Sequence, residues 1–178
     1  MRRFATPRRL AALAAAIAVS GLVGCATAPP PAPPSSPSAL LGAPLPAFRR
    51  STLGGATSFD TTTVGPRLLV VDFFASYCGP CQRALPALES LHASRPDVAI
   101  VGVSLDDDEP HAARVVARHH LTFPVVLDGG HTLAGKFRVT ELPAAFVADR
   151  GGRVVWSAGP GAAENALPTA VAALESAP

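Results

Sequence analysis

The stretch VVDFFASYCGPCQRALP, Val70 to Pro86, decides how the rest of the chain is read. Together with Arg67, Leu68 and Leu69 it forms an apolar run of strand length that leads into two cysteines separated by Gly79-Pro80. A continuous apolar run suits a central strand covered on both faces. Past the first cysteine the pattern changes. Leu85, Leu88 and Leu91 are spaced as one face of a helix. Pro80 falls in a first turn, where a missing N–H costs nothing. The segment therefore predicts a strand, a loop ending at Cys78, and a helix from Gly79 to about Ser94 with Cys81 in its first turn. Pro86 is expected to kink that helix.

Working outward, strand-like and helix-like segments alternate. Upstream, PAFRRSTLGGATSFD (46–60) has two short extended pieces around a Gly54-Gly55 turn, a hairpin pattern. Downstream, VAIVGVSL (98–105) reads as a second buried strand. The acidic run Asp106 to Glu109 then opens a helix over HAARVVARHH (111–120) and is expected to be solvated, with His119 and His120 at the helix C-terminus, where the dipole favours cations. FPVVLD (123–128) predicts a third strand, HTLAGKFRV (131–139) a short helix, and AAFVAD-RGG-RVVWS (144–157) a hairpin. ENALPTAVAALES (164–176) predicts a closing helix. Alternation with a late antiparallel hairpin implies an α/β architecture on a mixed central sheet flanked by helices. At 178 residues, 48% hydrophobic and 16% charged, the chain suits about one domain.

The N-terminal segment stands apart. MRRFATPRRL (1–10) carries four arginines, and LAALAAAIAVSGLVG (10–24) is apolar but short for a membrane span, the pattern of an export signal. LVGC (22–25) resembles a bacterial lipobox, which implies a lipidated Cys25 as mature N-terminus and an anchor in the lipid membrane. ATAPPPAPPSSPS (26–38) predicts a semi-rigid polyproline spacer reaching up to roughly 40 Å. The expected division is a signal over 1–24, lipidated cysteine and linker over 25–38, and a domain over 39–178. Removing Arg2, Arg3, Arg8 and Arg9 turns the formal charge of +2 into −2, with 11 basic against 13 acidic residues. No basic face remains to argue for nucleic acid.

With Cys25 assigned to lipid, Cys78 and Cys81 are left in an oxidising compartment, where a closely spaced pair reads as redox-active. A bridge over two residues constrains little of the unfolded chain, so a stabilising staple is excluded. An offset of three puts the pair on neighbouring helical positions. The helix N-terminus favours a thiolate on Cys78, while Cys81 lies deeper, facing the strand that carries Asp72. Exchange needs one accessible thiolate to attack and a second thiol to resolve. Structural zinc needs four ligands. His92, His111, His119, His120 and His131 show no paired spacing to complete such a site, so no metal and no cofactor beyond the dithiol are expected.

Two motifs carry a family resemblance. VVDFFASYCGPCQRALP resembles the thioredoxin active-site segment, and VTELPAAFVADRGGRVVW (139–156) resembles its second signature, where a cis-proline, here Pro143, precedes a strand and a Gly-containing hairpin. The first hairpin and the insertion from about Asp106 to Leu121 resemble the TlpA/ResA/DsbE-like group of membrane-anchored thiol:disulfide oxidoreductases. The resemblance implies a thioredoxin fold with an N-terminal hairpin and a central insertion. It also implies that Cys78 attacks, Cys81 resolves, Asp72 accepts the Cys81 proton, and Pro143 shapes a groove in which the Leu142 backbone pairs with a bound peptide. Tyr77 stands where the family has Trp and is expected to shield the attacking sulfur; Gly79 and Pro80 complete the expected substrate contacts. Glu141 reads as a solvated loop residue. Thioredoxin's buried lysine would fall near Gly102, leaving Asp72 without that partner.

The implied partners are protein disulfides or dithiols and a membrane electron donor, for a monomer on the periplasmic side of a membrane. Reduction is the expected direction, with apocytochrome c one implied substrate. A copper chaperone on the same fold and a thiol peroxidase are the competing readings. The first is disfavoured by the cysteine spacing and by Pro143, the second by Ala75, where peroxidases carry a threonine.

Overall fold

The computed structural model describes residues 38–65 and 67–176. The export signal, Cys25 and all of the proline-rich linker but Ser38 lie outside the described residues. The chain opens with a two-stranded antiparallel hairpin, β1 (Arg49–Ser51) and β2 (Ser58–Asp60). The apolar run becomes β3 (Leu68–Phe74), buried along its whole length. The active helix α1 (Gly79–Ser94) follows, then β4 (Val98–Ser104), α2 (Glu109–His119) and β5 (Val125–Leu127). The short α3 (Thr132–Phe137) leads into the hairpin β6 (Ala144–Asp149) and β7 (Val154–Ala158), and α4 (Ala162–Ser176) closes the fold.

Five strands form one mixed sheet in the order β5-β4-β3-β6-β7. β3 pairs parallel with β4 and antiparallel with β6, so it is central and has no exposed edge. This explains why every residue of β3 but Asp72 is apolar. Side chains alternate across it. Phe73 points to the face carrying α3, where it meets Phe137 and Phe146 at ring-centroid distances of 5.1 and 6.0 Å, and Phe48 joins from the N-terminal segment. Each such ring contributes roughly 1.5–3 kcal/mol by burial. Asp72, one residue away, points to the opposite face, under α1 and α4.

The N-terminal segment covers part of both sheet edges, which would otherwise offer unpaired backbone groups. Gly42 donates to the Val154 carbonyl, and the Val154 N–H donates to the Ala43 carbonyl, along β7. On the far edge Leu53 donates to the Val125 carbonyl of β5. α1 continues through Pro86, whose missing N–H leaves the Gln82 carbonyl without its helical donor. α3 is capped from a distance: Asp128, on the loop after β5, accepts from the Leu133 and Ala134 N–H groups.

Candidate active site

The site forms where β3 ends and α1 begins. Cys78 is the N-cap of α1, in extended conformation, and Pro80 sits in the first turn. Cys78 and Cys81 are joined in a disulfide, with Cα atoms 5.3 Å apart. The Cys81 N–H donates to Cys78 Sγ at 3.2 Å, so the sulfur occupies the capping position of an otherwise orphaned amide. Cys78 keeps 8% of its surface exposed and Cys81 keeps 1%. Both cysteines are buried, and Cys78 is the less deeply buried of the two.

Pro143 comes to the same end of the sheet. The register that sets Phe73 against Ala144 places Pro143 one residue beyond, level with the end of β3 from which the chain runs on to Cys78. It is buried, and the Leu142–Pro143 bond is cis. A cleft of about 300 Å³ opens between the Arg138–Glu141 loop and the Ser157–Pro160 turn, with Ala144 and Phe146 in its wall; its lining includes neither Pro143 nor the cysteines. Glu141 is exposed on its rim.

Asp72 lies on β3, on the face covered by α1 and α4. It is 5% exposed and accepts no hydrogen bond among the described residues. Burial alone pushes its carboxyl up to about 7. Its register partner on β4 is Gly102, on β6 Ala145. A side chain at Gly102 would meet Phe74 at 3.0 Å, Phe123 at 3.2 Å and Val125 at 3.3 Å. Aromatic rings thus fill the space a lysine would need there, and among the described residues the carboxyl has no cationic partner.

One expectation is corrected. Asp106 is not a solvated helix start: it is 3% exposed and is the anchor of the loop before Cys78. Its carboxylate accepts from the Ser76 N–H at 3.1 Å, from Ser76 Oγ at 2.6 Å and from Ser104 Oγ at 2.8 Å. The helix N-cap falls to Asp108, which accepts from the His111 N–H. Gln82 adds a second tie, donating to the Ser76 carbonyl and accepting from Arg118 at the end of α2. His119 and His120 do stand at that C-terminus, and burial, with Arg118 and His120 nearby, pushes His119 below the usual imidazole value. Tyr77, next to Cys78 in the chain, is 70% exposed. The anchoring role of Asp106 has no signal in the sequence, since four acids in a row look alike.

A central mixed sheet with this helix, dithiol and cis-proline defines a thioredoxin-fold protein. The chain belongs to the Redoxin family, whose pattern matches residues 40–174. It is 31% identical over 87 residues to the thiol-disulfide oxidoreductase ResA of Bacillus cereus, covering 48% of this chain and 50% of that protein. It is 32% identical over 121 residues to a thiol:disulfide interchange protein DsbE homolog of Paracoccus denitrificans, covering 67% and 66%. The matched region thus spans about half the length of ResA. Among solved structures it resembles in fold a secreted disulfide oxidoreductase of Mycobacterium tuberculosis, with a TM-score of 0.64 and 23% identity over 72% of this chain and 95% of that one.

Proposed function

We propose that the chain is an extracytoplasmic thiol:disulfide oxidoreductase that works through Cys78 and Cys81. The observation that carries this is the asymmetric pair at the start of α1, its outer sulfur held by a helix amide and its inner sulfur enclosed on the side of a buried carboxyl. The names of the ResA and DsbE relatives support the same reading. In the reduced protein the unpaired amides of α1 favour Cys78 as thiolate. That thiolate attacks one sulfur of a partner disulfide, whose other sulfur leaves as a thiolate with the bonding electron pair. Cys81 then loses its proton to ionised Asp72 and attacks Cys78 Sγ. The mixed disulfide breaks, the partner departs as a dithiol after taking up solvent protons, and Cys78–Cys81 is oxidised. The backbone at Leu142 and the cleft walled by Ala144 and Phe146 receive the partner's extended segment, with Tyr77, Gly79 and Pro80 as further contacts.

The export signal, a lipidated Cys25 and the proline-rich linker would tether the domain to the periplasmic side of a membrane. No helix among the described residues is long and apolar enough to cross one. The reading includes reduction of exported protein disulfides, apocytochrome c among them, with electrons from a membrane donor. Insulin-disulfide reduction tests the core of it: Cys78→Ser abolishes turnover, and Cys81→Ser accumulates a mixed disulfide on Cys78. Undiminished turnover in Cys78→Ser refutes it. The reduction potential of the pair decides direction, since about 30 mV corresponds to 1.4 kcal/mol of poise.

A further inference from the structure

Between α1 and α4 lies a narrow cavity of about 10 Å³, the size that holds a single water. Its walls are small or apolar: Ala84 and Ala87 from α1, Ala163 and Leu167 from α4. Only two polar side chains reach it, Asp72 from the sheet and Glu164 from the first turn of α4. Asp72 is almost wholly enclosed, has no hydrogen-bond partner and is directed into this space. Glu164 is only 17% exposed at its side chain, although it sits at a helix start where a carboxylate is ordinarily solvated. It is held at 3.2 Å by Arg83, whose own side chain is 67% exposed. A pair so open to water on one side adds little stability, so the ion pair alone does not account for drawing the carboxylate inward.

We propose that Glu164 is the residue through which Asp72 exchanges its proton with solvent, across the one-water cavity between α1 and α4. The inference rests on Asp72 being the acceptor of the Cys81 proton. When Cys81 attacks the mixed disulfide its thiol proton passes to Asp72. The enclosed dithiol side offers no exit, because Cys81 is buried and the partner covers Cys78. The proton leaves by the rear, from Asp72 to the cavity water and from there to the Glu164 carboxylate, which releases it to bulk solvent beside Arg83. The return path reprotonates Asp72 in the reverse reaction. From β4 and β6 the neighbours of Asp72 are Gly102 and Ala145, which carry no charge. Besides Asp72, the ionisable group in the cavity wall is Glu164 of α4, and Arg83 of α1 is bonded to its carboxylate. Glu164 touches no reacting sulfur and is a positioning residue for proton transfer.

The test mixes the full-length reduced protein with dithiobis(nitrobenzoate) in a stopped-flow absorbance instrument: charging Cys78 releases one thionitrobenzoate in a phase that scales with reagent concentration, and attack of Cys81 on Cys78 Sγ releases the second in a concentration-independent phase, which is the one read. In dilute buffer Glu164→Gln slows release by about tenfold, less than the 10²–10⁴ that loss of a direct proton-transfer group costs. Added imidazole, a diffusible proton carrier, restores the rate, and Glu164→Asp stays near wild type. A structural role for Glu164 would give a loss that imidazole leaves untouched. That outcome, or a wild-type rate for Glu164→Gln in every buffer, overturns the inference. Asp72→Asn separates the layers: slow release there with a normal Glu164→Gln leaves the exchange mechanism standing, whereas normal release in Asp72→Asn removes its proton acceptor.

Discussion

Replacing Asp72 by Asn should stabilise the oxidised protein, and by an amount that depends on pH. In the fold, burial moves this carboxyl from 3.8 to about 7. At about 1.4 kcal/mol per pH unit, ionising it in the folded chain costs roughly 4 kcal/mol more than in the unfolded one. The direction follows from proton counts. Between those two values the native chain still holds the proton and the unfolded chain has released it. Native stability therefore falls as pH rises across that window and levels off above about 7. Asn carries no such penalty. Any fixed cost of burying its amide is the same at every pH, so the informative quantity is the change in the difference between the two proteins. Urea unfolding with the disulfide intact, repeated from pH 4 to pH 9, should show the Asn variant gaining on wild type by up to about 4 kcal/mol, most of it before pH 7. A difference that stays flat with pH would mean that Asp72 is not a desolvated carboxyl, and its part in the exchange chemistry would fall with it.

Other consequences are local. Asp106→Ala strips Ser76 and Ser104 of a buried charged acceptor. With a hydrogen bond to a charged group worth about 1.5–3 kcal/mol, unfolding should show a loss of at least about 3 kcal/mol, and insulin reduction should slow because the loop before Cys78 is untied. Gly102→Ala puts a methyl group against Phe74, Phe123 and Val125. Overpacking of that kind costs about 1–3 kcal/mol, to be read as a fall in denaturation midpoint with an unchanged slope.

Much of this was legible along the chain because the decisive segment is local. A both-faces-buried strand, a two-cysteine turn and an amphipathic helix each leave a pattern within a dozen residues, and β3 and α1 follow that pattern closely. Pro143 was legible only through its family signature, since its place at the end of β3 depends on the antiparallel register of β6 against β3. Asp106 and Glu164 were not legible. The first differs from Asp107 and Asp108 only in where β4 ends and the chain turns under the Ser76 loop. The second lies 81 residues from its partner Arg83 and meets it through the packing of α4 on α1.

The most direct measurement is the rate at which iodoacetamide modifies each cysteine of the fully reduced protein at neutral pH, resolved by peptide mass mapping. An outer sulfur at a helix N-terminus and an inner one enclosed beneath it predict that Cys78 reacts well before Cys81. Equal rates, or faster labelling of Cys81, would contradict the assignment of attacking and resolving sulfur on which the mechanism is built.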